Sequence, residues 1–340
     1  MNKIERVSAV IRGSQPDRLP ASFWYHFGPD AVWGPEAVEA HVRHVETYDL
    51  DFLKVMCDGR YPLPQRADGI IEDVADLDRL VPMRGDEDIF GRHLEVLRAL
   101  SQRFAGELLM TTTIFNSWST LRRLMASDID VHGPPTREKI ADRRDAKLSR
   151  FLAETPEVLA KALDAISQTL SNFARNCLAA GADGIYLSVR DDWVDSPENG
   201  DGVYDRLVRG GDDRILAGAA GGALNMLHVC GKPLDFARFG QYSVQALNWA
   251  DRLGGPPISE VRSWLRPAIC CGIDNLGTLV SGSPLDIERE VLNAAEQAAG
   301  RPIMIAPGCT FDSHAVESAN LRAIRRAVDR LAESAGQKKA

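Results

Sequence analysis

A chain of 340 residues, 44% hydrophobic and 26% charged, has the make-up of a soluble globular protein and the length to bury a large core. Its 48 acidic against 40 basic side chains leave a formal charge of −8 with no basic block, which argues against nucleic acid as a partner. No apolar run reaches the roughly 18 residues of a membrane span, the charged start "MNKIERVSAVIRG" lacks a signal-peptide core, and six irregularly spaced cysteines suit a reducing cytoplasm better than a disulfide framework.

Short apolar runs alternate with helical patterns along most of the chain. "ASFWYHF" (21–27) reads as a first strand, "DFLKVMC" (51–57) as a second and "ELLMTTT" (107–113) as a third. "GIYLSV" (184–189), "LNMLHVC" (224–230), "VQALNWA" (244–250), "AICCGI" (268–273) and "PIMIAPGC" (302–309) make eight. Most are bounded by Gly, Pro or Asp.

Helical signals fall between them. Thr155-Pro156 opens a helix that Gly181 stops. Ser283, Pro284 and Asp286 open another, with Ile287, Val291 and Leu292 on its apolar face and Gly300 at its end. Leu321, Ile324, Val328 and Leu331 repeat at helical spacing before a frayed "GQKKA" tail. "RGGDDRILAGAAGG" (209–222) reads as a loop and helix end, and "SDIDVHGPPTREK" (127–139) and "DDWVDSPENGDG" (191–202) as long surface loops bordering the site. Eight parallel-type strands separated by helices predict a (β/α)₈ TIM barrel spanning residues 1–340 as one domain. A doubly wound sheet is the alternative, but no Gly-rich phosphate turn follows an early strand.

"LNMLHVCGK" ends an apolar strand on His228 and Cys230, which share a face because they are two residues apart. Active groups of such barrels gather at the C-terminal strand ends, where Cys309 ends the eighth run in "APGCTF". One imidazole and two thiolates make three metal ligands with one position left open, the pattern of a catalytic rather than a structural zinc site.

"SQPDRLPASF", "GADGIYLS", "HVCGK", "CGID" and "IAPGCTF" followed by "ESANLRAI" resemble the uroporphyrinogen decarboxylase family over nearly the whole chain. Within it the chain looks more like the zinc-dependent, cobalamin-linked methyltransferases such as methylcobalamin:coenzyme M methyltransferases, whose H-x-C and later C are matched by His228, Cys230 and Cys309. The resemblance implies Zn²⁺, a methyl group moved to or from a corrinoid (methylcobalamin) on a partner protein, and a small-molecule methyl acceptor such as a thiol or folate, or a methyl ether or halide donor. A cofactor-free decarboxylase-like lyase is the other activity the family implies. True decarboxylases carry an Arg-Gln-Ala-Gly-Arg motif after the first strand, where this chain has Tyr25, His26, Phe27, Gly28 and Pro29. "DSHAVE" at Asp312 only superficially matches a corrinoid-binding motif, so a separate corrinoid protein is expected, and an amphipathic outer helix allows a homodimer.

Other strand ends supply candidates. Asp58 falls where the decarboxylases keep a catalytic aspartate, and His26 ends the first run; both are catalytic candidates. Asp274, Trp249 and Tyr25 are candidate substrate contacts. Adjacent Cys270 and Cys271 must face opposite ways and read as buried packing, and His41, His44, His93 and His132 as solvated or capping residues.

Overall fold

The computed structural model describes residues 1–63, 69–126 and 134–337, with side chains described from 141 to 334 in the last stretch. Seven parallel strands run in sequential order: β1 (Phe52–Val55), β2 (Leu109–Phe115), β3 (Gly184–Val189), β4 (Met226–Val229), β5 (Ala246–Trp249), β6 (Ala268–Ile273) and β7 (Met304–Pro307). Sequential parallel order with helical crossovers curls the sheet, giving each strand two buried faces and hence a nearly unbroken apolar run. One face turns inward. Phe52, Met56, Tyr186, Met226, Cys270 and Met304 pack there, with Val7 and Val10 of the helix Lys3–Ile11 among them. The alternate residues, such as Leu53, Val55, Leu187, Leu227 and Cys271, pack in the larger core with the helices.

The predicted first strand is not one. Residues 20–25 lie between β7 and β1, but make two isolated bridges, Ala21 to Ile305 in β7 and Tyr25 to Phe311 in the segment beyond it. Ser22 N donates to Ile305 O (3.1 Å), Ile305 N to Pro20 O (2.8 Å) and Asp51 N to Ala21 O (3.0 Å). Toward β1 the next bond comes from a side chain, Ser22 Oγ to Phe52 O (2.7 Å). Pro20 has no N–H to give, so no continuous ladder starts here and the barrel is not closed. The other seven expected strands are present, each shortened at one or both ends except β3 and β6, and β2 shifted toward Phe115.

The helices Pro156–Ala179, Pro284–Ala298 and Ser318–Gln337 fall where expected, the second with the Ser283–Asp286 capping box. Residues 209–222 differ: Arg209–Gly218 is a helix, preceded by a π turn at Tyr204–Val208. Its Gly218 is a contact residue rather than a breaker, since a Cβ there would stand 2.2 Å from Ser171 O on the neighbouring helix. Helix also begins at Pro134, inside the stretch expected to be loop, while 127–133 and His132 lie outside the described residues. The 191–202 segment is a string of turns, yet Asp191, Val194 and Asp195 are buried in it. Among the described residues no helix is long and apolar enough to cross a membrane.

His41, His44 and His93 are buried, not solvated, because each imidazole ties its helix to the sheet layer. His41 Nδ1 bonds Ala37 O (2.7 Å) while its Nε2 accepts from Met56 N (3.0 Å). His44 Nε2 bonds Phe23 O (2.8 Å), and His93 Nε2 bonds Thr112 Oγ1 (2.7 Å). Burial pushes their pKa values down, to about 3, about 4 and about 4. The folded chain therefore binds fewer protons than the unfolded one below about pH 6.5, so this stability is full above that pH and is lost as pH falls toward 4 and below. Nitrogen-resolved NMR should find all three rings neutral at pH 5 in the folded protein; an imidazolium pattern at any of them would contradict this.

Candidate metal centre

β4 ends on His228 and Val229, and Cys230 follows on the same face as the histidine. Cys309 arrives from the turn after β7. Gly308 lets that turn pass close to the end of β5, since a Cβ there would sit 2.5 Å from Ala250 Cα. The candidate ligand atoms of His228, Cys230 and Cys309 all lie within 4.8 Å of one another. Ligands sharing one zinc ion at bond lengths of about 2.0–2.3 Å stand about 3.5–4 Å apart, so small side-chain adjustments suffice.

The imidazole is held from behind. Asn248, paired with His228 across the β4–β5 ladder, spends its Nδ2 on Cys270 O (2.6 Å) and Pro307 O (3.0 Å). Its Oδ1 must then accept both the Tyr186 hydroxyl (2.7 Å) and His228 Nδ1–H (2.7 Å). The proton is thereby fixed on Nδ1, and the lone pair on Nε2. That Nε2 is buried and has no hydrogen-bond partner. The Tyr186 ring stacks on the imidazole at 5.2 Å and 22°. The neighbouring Cys230 holds the Cys309 thiol well below the usual thiol range, against the burial that opposes it. Cys309 in turn, reinforced by burial, pushes Cys230 well above it. A bare buried imidazole nitrogen beside two cysteine sulfurs is a donor set that fits zinc.

His26 and Asp58 come together as a pair, Nδ1 to Oδ1 at 2.8 Å, on the wall of a cleft of about 420 Å³ shared with Gly28, Pro29, Phe115 and Arg123. Burial opposes the Asp58 charge, but the His26 bond and the Lys54 and Arg123 cations outweigh it and hold the carboxyl below its usual value. Tyr25 packs edge-on to Phe27 and His44, at 5.1 and 4.8 Å, and burial pushes its hydroxyl up to about 12.

The other two candidates are held by other contacts. Trp249 is fully buried against Phe236 in the helix layer, with Nε1 donating to Pro256 O (2.8 Å). Its neighbour Asn248 points inward, so strand alternation turns Trp249 outward. Asp274 Oδ1 caps its own loop, accepting from Leu276 N (3.0 Å) and Gly277 N (2.9 Å). Two inward residues escaped the sequence reading, Asn248 and Lys54. Their signal is a polar side chain inside an apolar strand, in "ALNW" and "FLKV".

A curled parallel sheet bearing a His/Cys₂ cluster at its C-terminal edge defines an α/β protein of the barrel type with a candidate metal site. The chain belongs to the uroporphyrinogen decarboxylase (URO-D) family, whose sequence model matches residues 55–331. No curated protein sequence matches it. Among solved structures it is similar to one titled methyltransferase from Methanosarcina mazei, at 16% identity and a TM-score of 0.71, covering 97% of this chain and 99% of that one. B12-independent methionine synthases are also found: one from Shewanella at 11% identity and TM-score 0.45, covering 71% of this chain and 67% of that one. Another, putative, from Listeria monocytogenes is 13% identical with a TM-score of 0.47, covering 70% and 69%.

Proposed function

We propose that this protein, acting as one domain in the cytoplasm, is a zinc-dependent methyltransferase. It moves a methyl group between a corrinoid on a partner protein and a thiol or folate acceptor, or takes one from a methyl ether or halide. The observation that carries this reading is the unpartnered Nε2 of His228, buried beside the sulfurs of Cys230 and Cys309. Bound there, zinc supplies a Lewis acid with one vacant position, which ionises an incoming thiol at neutral pH.

The chain's own groups do the rest. Asn248 keeps the imidazole in the Nδ1–H form, and Tyr186 holds its plane. Asp58 orients His26, whose Nε2 is left free to take the proton of an arriving thiol or return one to a leaving group. A methyl donor bound opposite would pass its methyl carbon to the sulfur as its own bond to that carbon breaks, the electron pair leaving with the donor. A lyase acting on a many-carboxylate substrate is less well served. Cations must meet buried carboxylates, and among the described residues the cleft is lined by one arginine, Arg123, beside the acidic Asp58.

The zinc-loaded protein should convert free methylcobalamin to the demethylated corrinoid spectrum when a small thiol is added, and chelation should stop it. A rate indifferent to chelation removes the zinc mechanism.

A further inference from the structure

Lys54 stands in the middle of β1, between the inward-facing Phe52 and Met56, and is only 3% exposed. Its Nζ donates to the Met56 sulfur (3.2 Å) and lies 4.6 Å from the centre of the Tyr186 ring and 5.5 Å from that of Trp24. Among the described residues no carboxylate lies within ion-pair distance of it. Ring faces and a thioether offset only part of the several kcal/mol that burying an ammonium costs. An anion nearby has to supply the balance.

Burial pushes the Lys54 pKa down, to about 8, and the groups that favour its charge against burial are Cys309, Asp58 and Cys57. Burial pushes Cys57 up to about 12, so that thiol is neutral. Asp58 supplies part of the balance, and its carboxylate is shared with His26. Cys309, the foremost of the three, lies at the metal corner, and the ring that flanks the amine is the one stacked on His228. Two thiolates and a neutral imidazole cancel a divalent ion, and a substrate thiolate then leaves the buried set with one net negative charge. Such a charge needs a fixed cation: Arg190, which also acts on both sulfurs, is already paired with Asp192 (Nε to Oδ1, 2.8 Å), and Lys54 is the one lysine buried among the described residues.

We propose that Lys54 is the counter-charge that lets the metal centre accept an anionic sulfur ligand. It is a positioning residue, acting through charge and not by contact, and it selects a thiolate over a neutral donor at the vacant position. The inference rests on the zinc reading above.

Cobalt(II) in place of zinc makes both claims visible. Wild-type protein is loaded with one Co²⁺ per chain and titrated separately with 2-mercaptoethanol and with imidazole, following the thiolate-to-cobalt charge-transfer and visible bands. In Lys54→Met, the same length without charge, thiol affinity should fall roughly tenfold or more. Imidazole affinity should move less than about twofold, since a neutral ligand does not feel the missing charge. Lys54→Arg should keep most of the thiol affinity. Equal losses for both ligands, an unchanged thiol affinity in Lys54→Met, or a loss in Lys54→Arg matching it each overturn the counter-charge role. Should Lys54→Met not fold, Lys54→Gln is measured against the same criteria. A wild-type protein with no thiolate-to-cobalt band overturns the metal reading itself, and the inference with it.

Discussion

A Cys309→Ser protein is expected to fold like its parent and to retain almost no zinc. The substitution is nearly isosteric at a half-buried position on the turn after β7, where Cys309 Sγ lies 3.8 Å from Thr310 Oγ1. A serine hydroxyl stays protonated at neutral pH and is a poor zinc ligand, so the ion would be left with His228 and Cys230. Disturbing groups that merely orient metal ligands costs about 10- to 100-fold in affinity, so losing one of three protein ligands should cost at least about 100-fold. Elemental analysis of both proteins after zinc loading and gel filtration gives the stoichiometry, and circular dichroism the integrity of the fold. Near-unit zinc in the parent and near-zero in a folded variant is the expected result. Equal zinc in both, or none in either, ends the metal assignment.

The residues of this centre were unequally legible. His228 and Cys230 could be read from sequence because the period of a strand places i and i+2 together whatever the rest of the fold does. Cys309 needed the barrel topology, because only the closeness of β7's end to β4 and β5 brings it there. Asn248 and Lys54 were invisible for a related reason. A polar residue in an apolar run says that something inside must be satisfied, but not by what. The partners of Asn248 come from β3, β4, β6 and β7 and exist only once those strands are in register. Trp249 was misplaced through the same gap: once Asn248 is known to face inward, its neighbour must face the helices.

Among the fold elements, buried parallel strands announce themselves as apolar runs between Gly, Pro and Asp. The run at 21–27 has that composition without the ladder. The aromatic side chains of Phe23, Tyr25 and Phe27 pack on His44 and Phe311, and Pro20 removes the first donor. The helix at Arg209–Gly218 was masked by glycines that serve packing against Ser171 and its neighbours instead of a turn.

Asn248→Ala tests the support of the centre and should be the most damaging single change outside the ligands. It strips four buried groups of a partner at once: the Tyr186 hydroxyl, His228 Nδ1–H and the carbonyls of Cys270 and Pro307. A buried polar group left unsatisfied costs about 1–3 kcal/mol, so even with partial rescue by water the protein should lose at least ~3 kcal/mol of stability. A second consequence is separate. Nothing then holds the proton on Nδ1, and the tautomer with Nε2 protonated cannot bind a metal through that atom. Zinc affinity of the folded variant should fall about 10- to 100-fold, the range seen when a ligating histidine loses its hydrogen-bond partner. Chelator competition at a temperature where the variant is still folded separates the two effects, with denaturant unfolding measured on the metal-free proteins. A large stability loss with unchanged zinc affinity would make Asn248 a core residue only, and would mean that the lone pair of His228 is aimed by something other than the amide behind it.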